Sequence, residues 1–293
     1  MQYQNKFNNN TQIIGVIGHP IKHSFSPLMH NISFDLLDLN YIYLPFDVPA
    51  SNLKDALKGM LALGIKGLNV TLPHKEKILS LLKEVSEEAN IIGAVNTVVN
   101  EEGVLHGYNT DVAGIVETLL PFKDEIAGRT VSVIGSGGSA RSAIYALIRN
   151  FKPEKINIIN RTEQTAESLK EYFITKMLFN NICSFELVPP DLIEVFASSK
   201  LIINATPVGM SPEIDDAPTT IPESFNKEQI VFDFIYAPLQ TKFLKLAASQ
   251  GAITVNGLRM LVEQGSKSFE LWTGQKMPID QVYKALVSYL AEK

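Results

Sequence analysis

At 293 residues the chain is long enough for one large or two modest domains. Hydrophobic residues make up 45% and charged residues 19%, a soluble composition able to bury a real core. The net charge of −5, with no basic tract to offset it, argues against general nucleic-acid binding, although a few basic groups focused in a cleft could still hold an anion. The lone cysteine, Cys183, excludes an internal disulfide and a multi-cysteine zinc site, fits a reducing cytoplasm, and lies in an apolar stretch where packing is its expected role. No apolar run reaches membrane-spanning length, and the start has no apolar leader core.

The asparagine-rich first ten residues are expected to form a frayed tail. Apolar runs and helical stretches then alternate. Ile13 to Gly18 reads as a strand, Pro27 to Leu37 as a helix, Tyr41 to Leu44 as a strand and Leu53 to Leu63 as a helix. Gly64 to Val70 is predicted as a buried strand, and Ile78 to Glu88 as a helix. Val95 to Asn100 and Val104 to Gly107 flank Glu101-Glu102-Gly103, a hairpin expected at a sheet edge. From Thr130 a second series of β-α units predicts parallel strands with crossover helices. Ala217 to Asn226 reads as a loop, and Leu258 to Trp272 and Ile279 to Leu290 as two amphipathic helices. The fold class is therefore α/β, in two halves.

Thr130 to Ile134 runs into Gly135-Ser136-Gly137-Gly138-Ser139-Ala140, a glycine-rich turn between a strand and a helix. Gly135 would make the tight turn, Gly137 would let backbone approach a pyrophosphate, and Ala140 is small enough for the helix to pack on the strand. The next strand, Lys155 to Ile159, ends in Asn160-Arg161-Thr162. An NAD enzyme usually carries a carboxylate there for the ribose 2′-hydroxyl. Arg161 instead offers planar donors to a 2′-phosphate and Thr162 adds a hydroxyl, so the expected cofactor is NADP. The competing account is that Arg161 is a surface residue and Thr162 simply caps a helix.

Polar residues gather at the strand ends of the first half. Thr71 and Lys75 follow the strand ending at Val70, where open α/β sheets place ligands. Ser24 and Ser26 flank Phe25, so in extended backbone both hydroxyls would face one way and could receive a carboxylate; alternatively Ser26 caps a helix starting at Pro27. Asn96 and Asp111 sit in further polar segments. Asp111 either approaches Lys75, forming a pair able to exchange a proton with a carbonyl or hydroxyl, or caps the helix from Val112 to Leu119, and the two roles are compatible. The histidines suggest no metal site, so no metal is expected.

With these segments in order, the chain resembles the NADP-dependent shikimate dehydrogenase family from about Ile13 to Leu290. Asn204 to Met210, Asp233 to Tyr236 and Asn256 to Gly265 carry the likeness through the second half. The resemblance implies a two-domain enzyme, an N-terminal α/β substrate domain with a mixed sheet plus a Rossmann-like dinucleotide-binding domain, with substrate in the cleft between them. The implied boundaries are residues 1–111 for substrate binding and catalysis, 112–256 for NADP binding, and 257–293 for C-terminal helices returning to the first domain. Lys75 and Asp111 would transfer the proton. Ser24, Ser26, Thr71, Lys75, Asn96, Asp111, Tyr236 and Gln264 would surround shikimate or 3-dehydroshikimate. Gly135, Ser136, Gly137, Gly138, Ser139, Asn160, Arg161, Thr162, Phe234 and Gly257 would hold NADP(H).

One departure stands out: the family often carries another basic residue shortly after the arginine, whereas Glu163-Gln164-Thr165 follows here. Rival expectations are a quinate/shikimate dehydrogenase of broader specificity and a non-catalytic NADP-binding regulator. The implied protein is cytoplasmic, monomeric or homodimeric, and without nucleic-acid or membrane partners.

Overall fold

The computed structural model describes residues 7–291 (without the Pro189 side chain) as an α/β protein with two six-stranded sheets. The chain divides into two units, residues 1–110 with 262–293, and residues 111–261. Residues 8–11 of the expected tail form a hydrogen-bonded turn instead, in which Thr11 Oγ1 donates to Asn40 Oδ1 at 2.7 Å; the first six residues lie outside those described.

In the first unit the strands are β1 (Gln12–Gly18), β2 (Tyr41–Asp47), β3 (Gly67–Val70), β4 (Glu84–Val85), β5 (Thr97–Glu101) and β6 (Val104–Tyr108). They lie in the order β2-β1-β3-β5-β6-β4. The sheet is mixed: β2, β1 and β3 are parallel, the β5–β6 hairpin is antiparallel, and β4 pairs parallel with β6. Glu102 and Gly103, at φ 52° and 87°, turn the hairpin in the left-handed region that its two-residue loop requires.

Helices α1 (Ser26–Leu36), α2 (Leu53–Ala62) and α3 (Glu87–Ile92) belong to the same unit. Leu57 and Met60 of α2 pack on Ile17, Leu68, Val70 and Val98, one apolar stripe against alternate strand positions. The helix expected over Ile78 to Glu88 is absent. A short 3-10 turn over Lys77–Leu81 is followed by β4 and then α3. Two local bonds explain the break: Ser86 Oγ accepts from Ala89 N–H at 3.2 Å to start a new helix, and β4 finds a partner in β6.

The second unit contains α4 (Asp111–Leu119), α5 (Lys123–Ile126), β7 (Thr130–Ile134), α6 (Gly138–Ala146), β8 (Lys155–Asn160), α7 (Glu163–Met177), β9 (Ile182–Glu186), α8 (Ile193–Ala197), β10 (Leu201–Asn204), β11 (Ile230–Asp233), α9 (Lys242–Ser249) and β12 (Ile253–Val255). All six strands are parallel, in the order β12-β11-β10-β7-β8-β9. β10 and β11 are buried throughout, as expected for strands covered on both faces. Chain order reverses between β7 and β10, which is where such sheets open a ligand crevice.

The division between units falls inside α10 (Leu258–Thr273), and α11 (Ile279–Ala291) ends in the first unit. Trp272 of α10 lies against β3 at Gly67, where a Cβ would fall 2.1 Å from its Nε1, and that N–H donates to Val98 O at 3.0 Å. Gly265 likewise gives room to Met29 of α1. These two glycines seat α10 on the first unit. Among the described residues no helix is long and apolar enough to cross a membrane.

Candidate active site

In the second unit, Gly135 follows β7 at φ 116°, a conformation that disfavours other residues. A Cβ there would meet Thr206 Cγ2 at 3.1 Å and Ala205 O at 3.3 Å, so a side chain would fill the mouth of the crevice. Gly137 is the N-cap of α6 and has no side chain to satisfy the first-turn N–H groups, which suits an incoming phosphate. Ser136 and Ser139 are half-buried beside this turn, Gly138 opens α6, and Ala140 is fully buried in the helix–strand contact.

The turn after β8 departs from the simple helix cap. Thr162 occupies the N-cap of α7 but its side chain makes no capping bond. Its carbonyl instead accepts Asn160 Nδ2 at 3.1 Å and Thr165 Oγ1 at 2.7 Å, and Asn160 Nδ2 also reaches Thr165 Oγ1. Asn160 therefore shapes the turn that leaves Arg161 exposed, and Thr165, which the sequence reading passed over, locks it.

The ends of β10 and β11 are joined by a buried carboxylate. Asp233 Oδ1 accepts from Asn204 Nδ2 at 3.0 Å and Ile235 N–H at 3.1 Å, and its Oδ2 accepts from Thr241 Oγ1 at 2.7 Å. Burial pushes its pKa up to about 6, against the pull of those three donors. Asn204 Oδ1 in turn accepts from the N–H and hydroxyl of Thr206, shaping the loop beside Gly135. Gly257 N–H donates to Ile235 O at 3.0 Å, and a Cβ on Gly257 would lie 2.1 Å from Phe234 O. Gly135, Phe234 and Gly257 thus share one end of the sheet, a backbone cradle that fits a dinucleotide.

In the first unit the ends of β1 and β3 are bound together. Thr71 N–H donates to Ile17 O at 3.0 Å, and His19 N–H to Leu72 O at 2.9 Å. A Cβ on Gly18 would strike Thr71 Cγ2 at 2.5 Å. His74 is buried with its Nε2 2.7 Å from Val48 O, and burial lowers its pKa. Val95 N–H donates to Lys75 O at 2.8 Å, and Val70 N–H to Asn96 O at 2.8 Å. These backbone bonds bring together, beyond β3, the segments that carry Thr71, half-buried Lys75 and buried Asn96. Gln264 of α10 joins them, its Oε1 3.3 Å from Asn96 Nδ2.

The serines follow neither expectation drawn for them. Phe25 has φ −92° and ψ −1°, so the two hydroxyls do not share a face through extended backbone. Ser26 is the first residue of α1, with Phe25 at the N-cap. Phe25 packs edge-on against Tyr289 of α11, at 5.7 Å between ring centroids, a tertiary contact that local sequence does not reveal. Ser24 Oγ accepts from Ser26 N–H at 3.3 Å. Asp111 is buried at the start of α4, as its first residue, and with half-buried Tyr236 belongs to the second unit.

Comparison with known proteins agrees with this geometry. Residues 16–98 match the shikimate dehydrogenase substrate-binding domain, and residues 257–287 match the shikimate 5′-dehydrogenase C-terminal domain. A shikimate dehydrogenase (NADP(+)) from Caldanaerobacter subterraneus subsp. tengcongensis is 46% identical over 96% of this chain and 98% of its own length. A crystal structure of a shikimate dehydrogenase in complex with NADP+ superposes with a TM-score of 0.87 at 39% identity, covering 97% of each chain. That of shikimate 5-dehydrogenase from Thermus thermophilus, in complex with NADP(H) and shikimate, gives 0.81 at 36% identity over 94% of this chain and 98% of its own. With that likeness running nearly end to end, the chain belongs to the shikimate dehydrogenase family.

Proposed function

We propose that this chain catalyses the reversible NADPH-dependent reduction of 3-dehydroshikimate to shikimate in aromatic amino-acid biosynthesis. The observation that carries the reading is the gathering beyond β3 of the segments that carry Thr71, Lys75 and Asn96, with Gln264 bonded to Asn96, in a chain whose second sheet ends in a backbone cradle fit for a dinucleotide. The bound nicotinamide supplies hydride chemistry at the ring carbonyl carbon. The protein's part is to hold the substrate and move one proton. Lys75 and Asp111 deliver that proton to the carbonyl oxygen in reduction and accept it in oxidation. Ser24, Ser26, Thr71, Tyr236 and Gln264 hold the carboxylate and hydroxyls, using donors that cost no buried net charge, and Asn96 lines the same site by aligning Gln264.

Gly135, Ser136, Gly137, Gly138 and Ser139 hold the pyrophosphate through backbone N–H groups and the α6 N-terminus. Asn160, Arg161 and Thr162 receive the adenosine 2′-phosphate, with the guanidinium providing the charge. Phe234 and Gly257 line the nicotinamide end. Residues 1–111 bind substrate and carry the catalytic lysine and aspartate, residues 112–256 bind NADP, and residues 257–293 return to the first domain. The fold divides at 110/111 and 261/262, one and five residues from these bounds and with Asp111 on the second unit's side; that near agreement and the seating of α10 on β3 support the arrangement. The protein acts in the cytoplasm as a monomer or homodimer on a small-molecule substrate.

The test is direct. Adding 3-dehydroshikimate to the protein with NADPH should consume the reduced nicotinamide, followed by its absorbance. A stable absorbance at high enzyme concentration would refute the assignment and favour a regulator built on this fold.

A further inference from the structure

The polar cluster behind Asn96 is larger than substrate contact requires. Asn69, Asn96, Thr97, Thr110 and Ser268 are each 7% exposed or less, and they come from β3, β5, the end of the hairpin and α10. Their bonds have defined directions. Tyr43 Oη donates to Asn69 Oδ1 at 2.7 Å, which leaves the Asn69 amide nitrogen facing Asn96 O, Thr97 Oγ1 and Ser268 Oγ at 3.1 to 3.2 Å. Asn96 O can only accept, so the Asn69 amide has a single satisfying orientation. Thr97, Thr110 and Ser268 close a triangle of hydroxyls, with Oγ···Oγ distances of 2.8, 2.9 and 3.2 Å.

Asn96 receives its orientation from this frame. Thr110 N–H, which can only donate, meets Asn96 Oδ1 at 2.7 Å, and Thr97 Oγ1 donates to the same oxygen at 3.0 Å. The Asn96 amide nitrogen must then face Thr110 Oγ1 at 2.9 Å and Gln264 Oε1 at 3.3 Å. With its oxygen committed to Asn96, Gln264 has only its Nε2 donors to offer elsewhere. Ser268 Oγ, one turn along α10, lies 3.1 Å from Gln264 O and brings the hydroxyl triangle against the same helix.

We infer that Asn69, Thr97 and Ser268 are positioning residues that hold in place the Asn96 and Gln264 amides, whose orientation the Thr110 N–H fixes, so that Gln264 presents donors to the substrate. The inference rests on the shikimate assignment above. A carboxylate or carbonyl oxygen on the ligand can pair only with a donor, and an inverted Gln264 would set oxygen against oxygen. The frame is wholly neutral, so it holds the orientation without adding charge beside the proton-transferring residues. Each of these hydroxyls acts on the substrate through an amide that the fold already places there.

The test is steady-state oxidation of shikimate at saturating NADP+ with Thr97→Val and Thr97→Ser, whose side chains are close in volume to threonine. Thr97→Val should raise the KM for shikimate about tenfold, the loss of roughly one hydrogen bond, while kcat stays within about threefold and the KM for NADP+ is unchanged. Thr97→Ser should restore the parent value. Ser268→Ala, which adds no atoms, carries the same expectation and serves if Thr97→Val does not fold. An unchanged shikimate KM in these hydroxyl-deleted variants overturns the inference, as does equal impairment by Thr97→Ser and Thr97→Val. A parent enzyme that turns over shikimate beside unaffected variants removes the positioning role alone; a parent enzyme without shikimate turnover removes the function and this role together.

Discussion

In the second unit, the carboxyl ends of β10 and β11 are joined through one buried carboxylate, Asp233, and the cradle proposed for the cofactor is mostly backbone at Gly135, Phe234 and Gly257. In the first unit, the ends of β3 and β5 meet neutral amides and hydroxyls, and the candidate contacts are side chains. A backbone cradle tolerates many side chains but few conformations; a side-chain frame tolerates the reverse. The two units should therefore fail differently, under acid as well as under mutation.

Acid should give the largest effect. His30 is fully buried in the first unit, stacked on Tyr43 at 4.4 Å and flanked by Phe269 and Trp272. Burial lowers its pKa from 6.5 to about 3, with the Asn69 side chain pulling the other way. Between those values the unfolded chain binds the proton and the folded chain does not, so stability rises with pH. The contribution is fully present above pH 6.5 and is lost as pH falls toward 3, amounting to roughly 5 kcal/mol over the whole window. Asp233 has the opposite sign. Its folded pKa of about 6 lies above the unfolded 3.8, so it favours the folded state increasingly as pH falls from 6 to 4.

The first unit should therefore be the acid-sensitive one. Trp272 is the chain's only tryptophan, and its fluorescence reports that unit. Denaturant midpoints read by Trp272 should fall between pH 6.5 and 4, and His30→Leu should flatten that fall. An equally steep slope in the variant would break the contrast.

The next effect is catalytic. Lys75→Ala should lower kcat by about 10²–10⁴-fold, the usual worth of general acid–base catalysis, with a smaller change in the shikimate KM. A kcat within about threefold of the parent would take Lys75 out of the chemistry and leave the first unit as a binding surface only.

The same contrast explains what could be read from sequence. The strand, turn and helix around Gly135 form one continuous segment whose constraints are local, so glycine spacing reveals them. The frame behind Asn96 joins Asn69 to Ser268 across 199 residues, and no short-range pattern encodes that pairing. Asn96 and Gln264, which bond to each other, were both named through the family resemblance, whereas Thr97, Thr110 and Ser268 were not singled out, because buried hydroxyls carry no sequence signature. The backbone around the serine pair was misjudged for a related reason: the Phe25–Tyr289 contact accompanies a local conformation that Ser-Phe-Ser alone does not dictate. Ser86, by contrast, was a readable helix start, with Glu87 and Glu88 in the following turn, and it should have divided the predicted helix there.

Backbone cradles predict a backbone failure. Gly257→Ala places a methyl 2.1 Å from Phe234 O and 2.4 Å from its carbonyl carbon, and neither atom can swing away as a side chain would. A cost of about 1–3 kcal/mol is expected, measured by thermal or denaturant unfolding, with a raised KM for NADPH and little change for shikimate. If the variant keeps the parent's stability and cofactor KM, the cradle is softer than its contacts imply.

Arg161 gives the smallest and most selective effect, because it is the one charged, exposed side chain among the residues proposed to hold the cofactor. Its turn is set by Asn160 and Thr165, not by Arg161 itself, so replacing it should leave the turn intact. Charge-assisted contact with the 2′-phosphate exists only for NADP(H), and no second basic residue follows closely to replace it. Arg161→Ala should therefore raise the NADPH KM about tenfold and leave the NADH KM nearly unchanged, with kcat preserved. Thr165→Val should blunt both KM values modestly, since it loosens the turn without removing charge. Equal losses for the two cofactors in Arg161→Ala would mean that the guanidinium supports the turn or the common adenosine, and cofactor choice would then have to be sought elsewhere in the second unit.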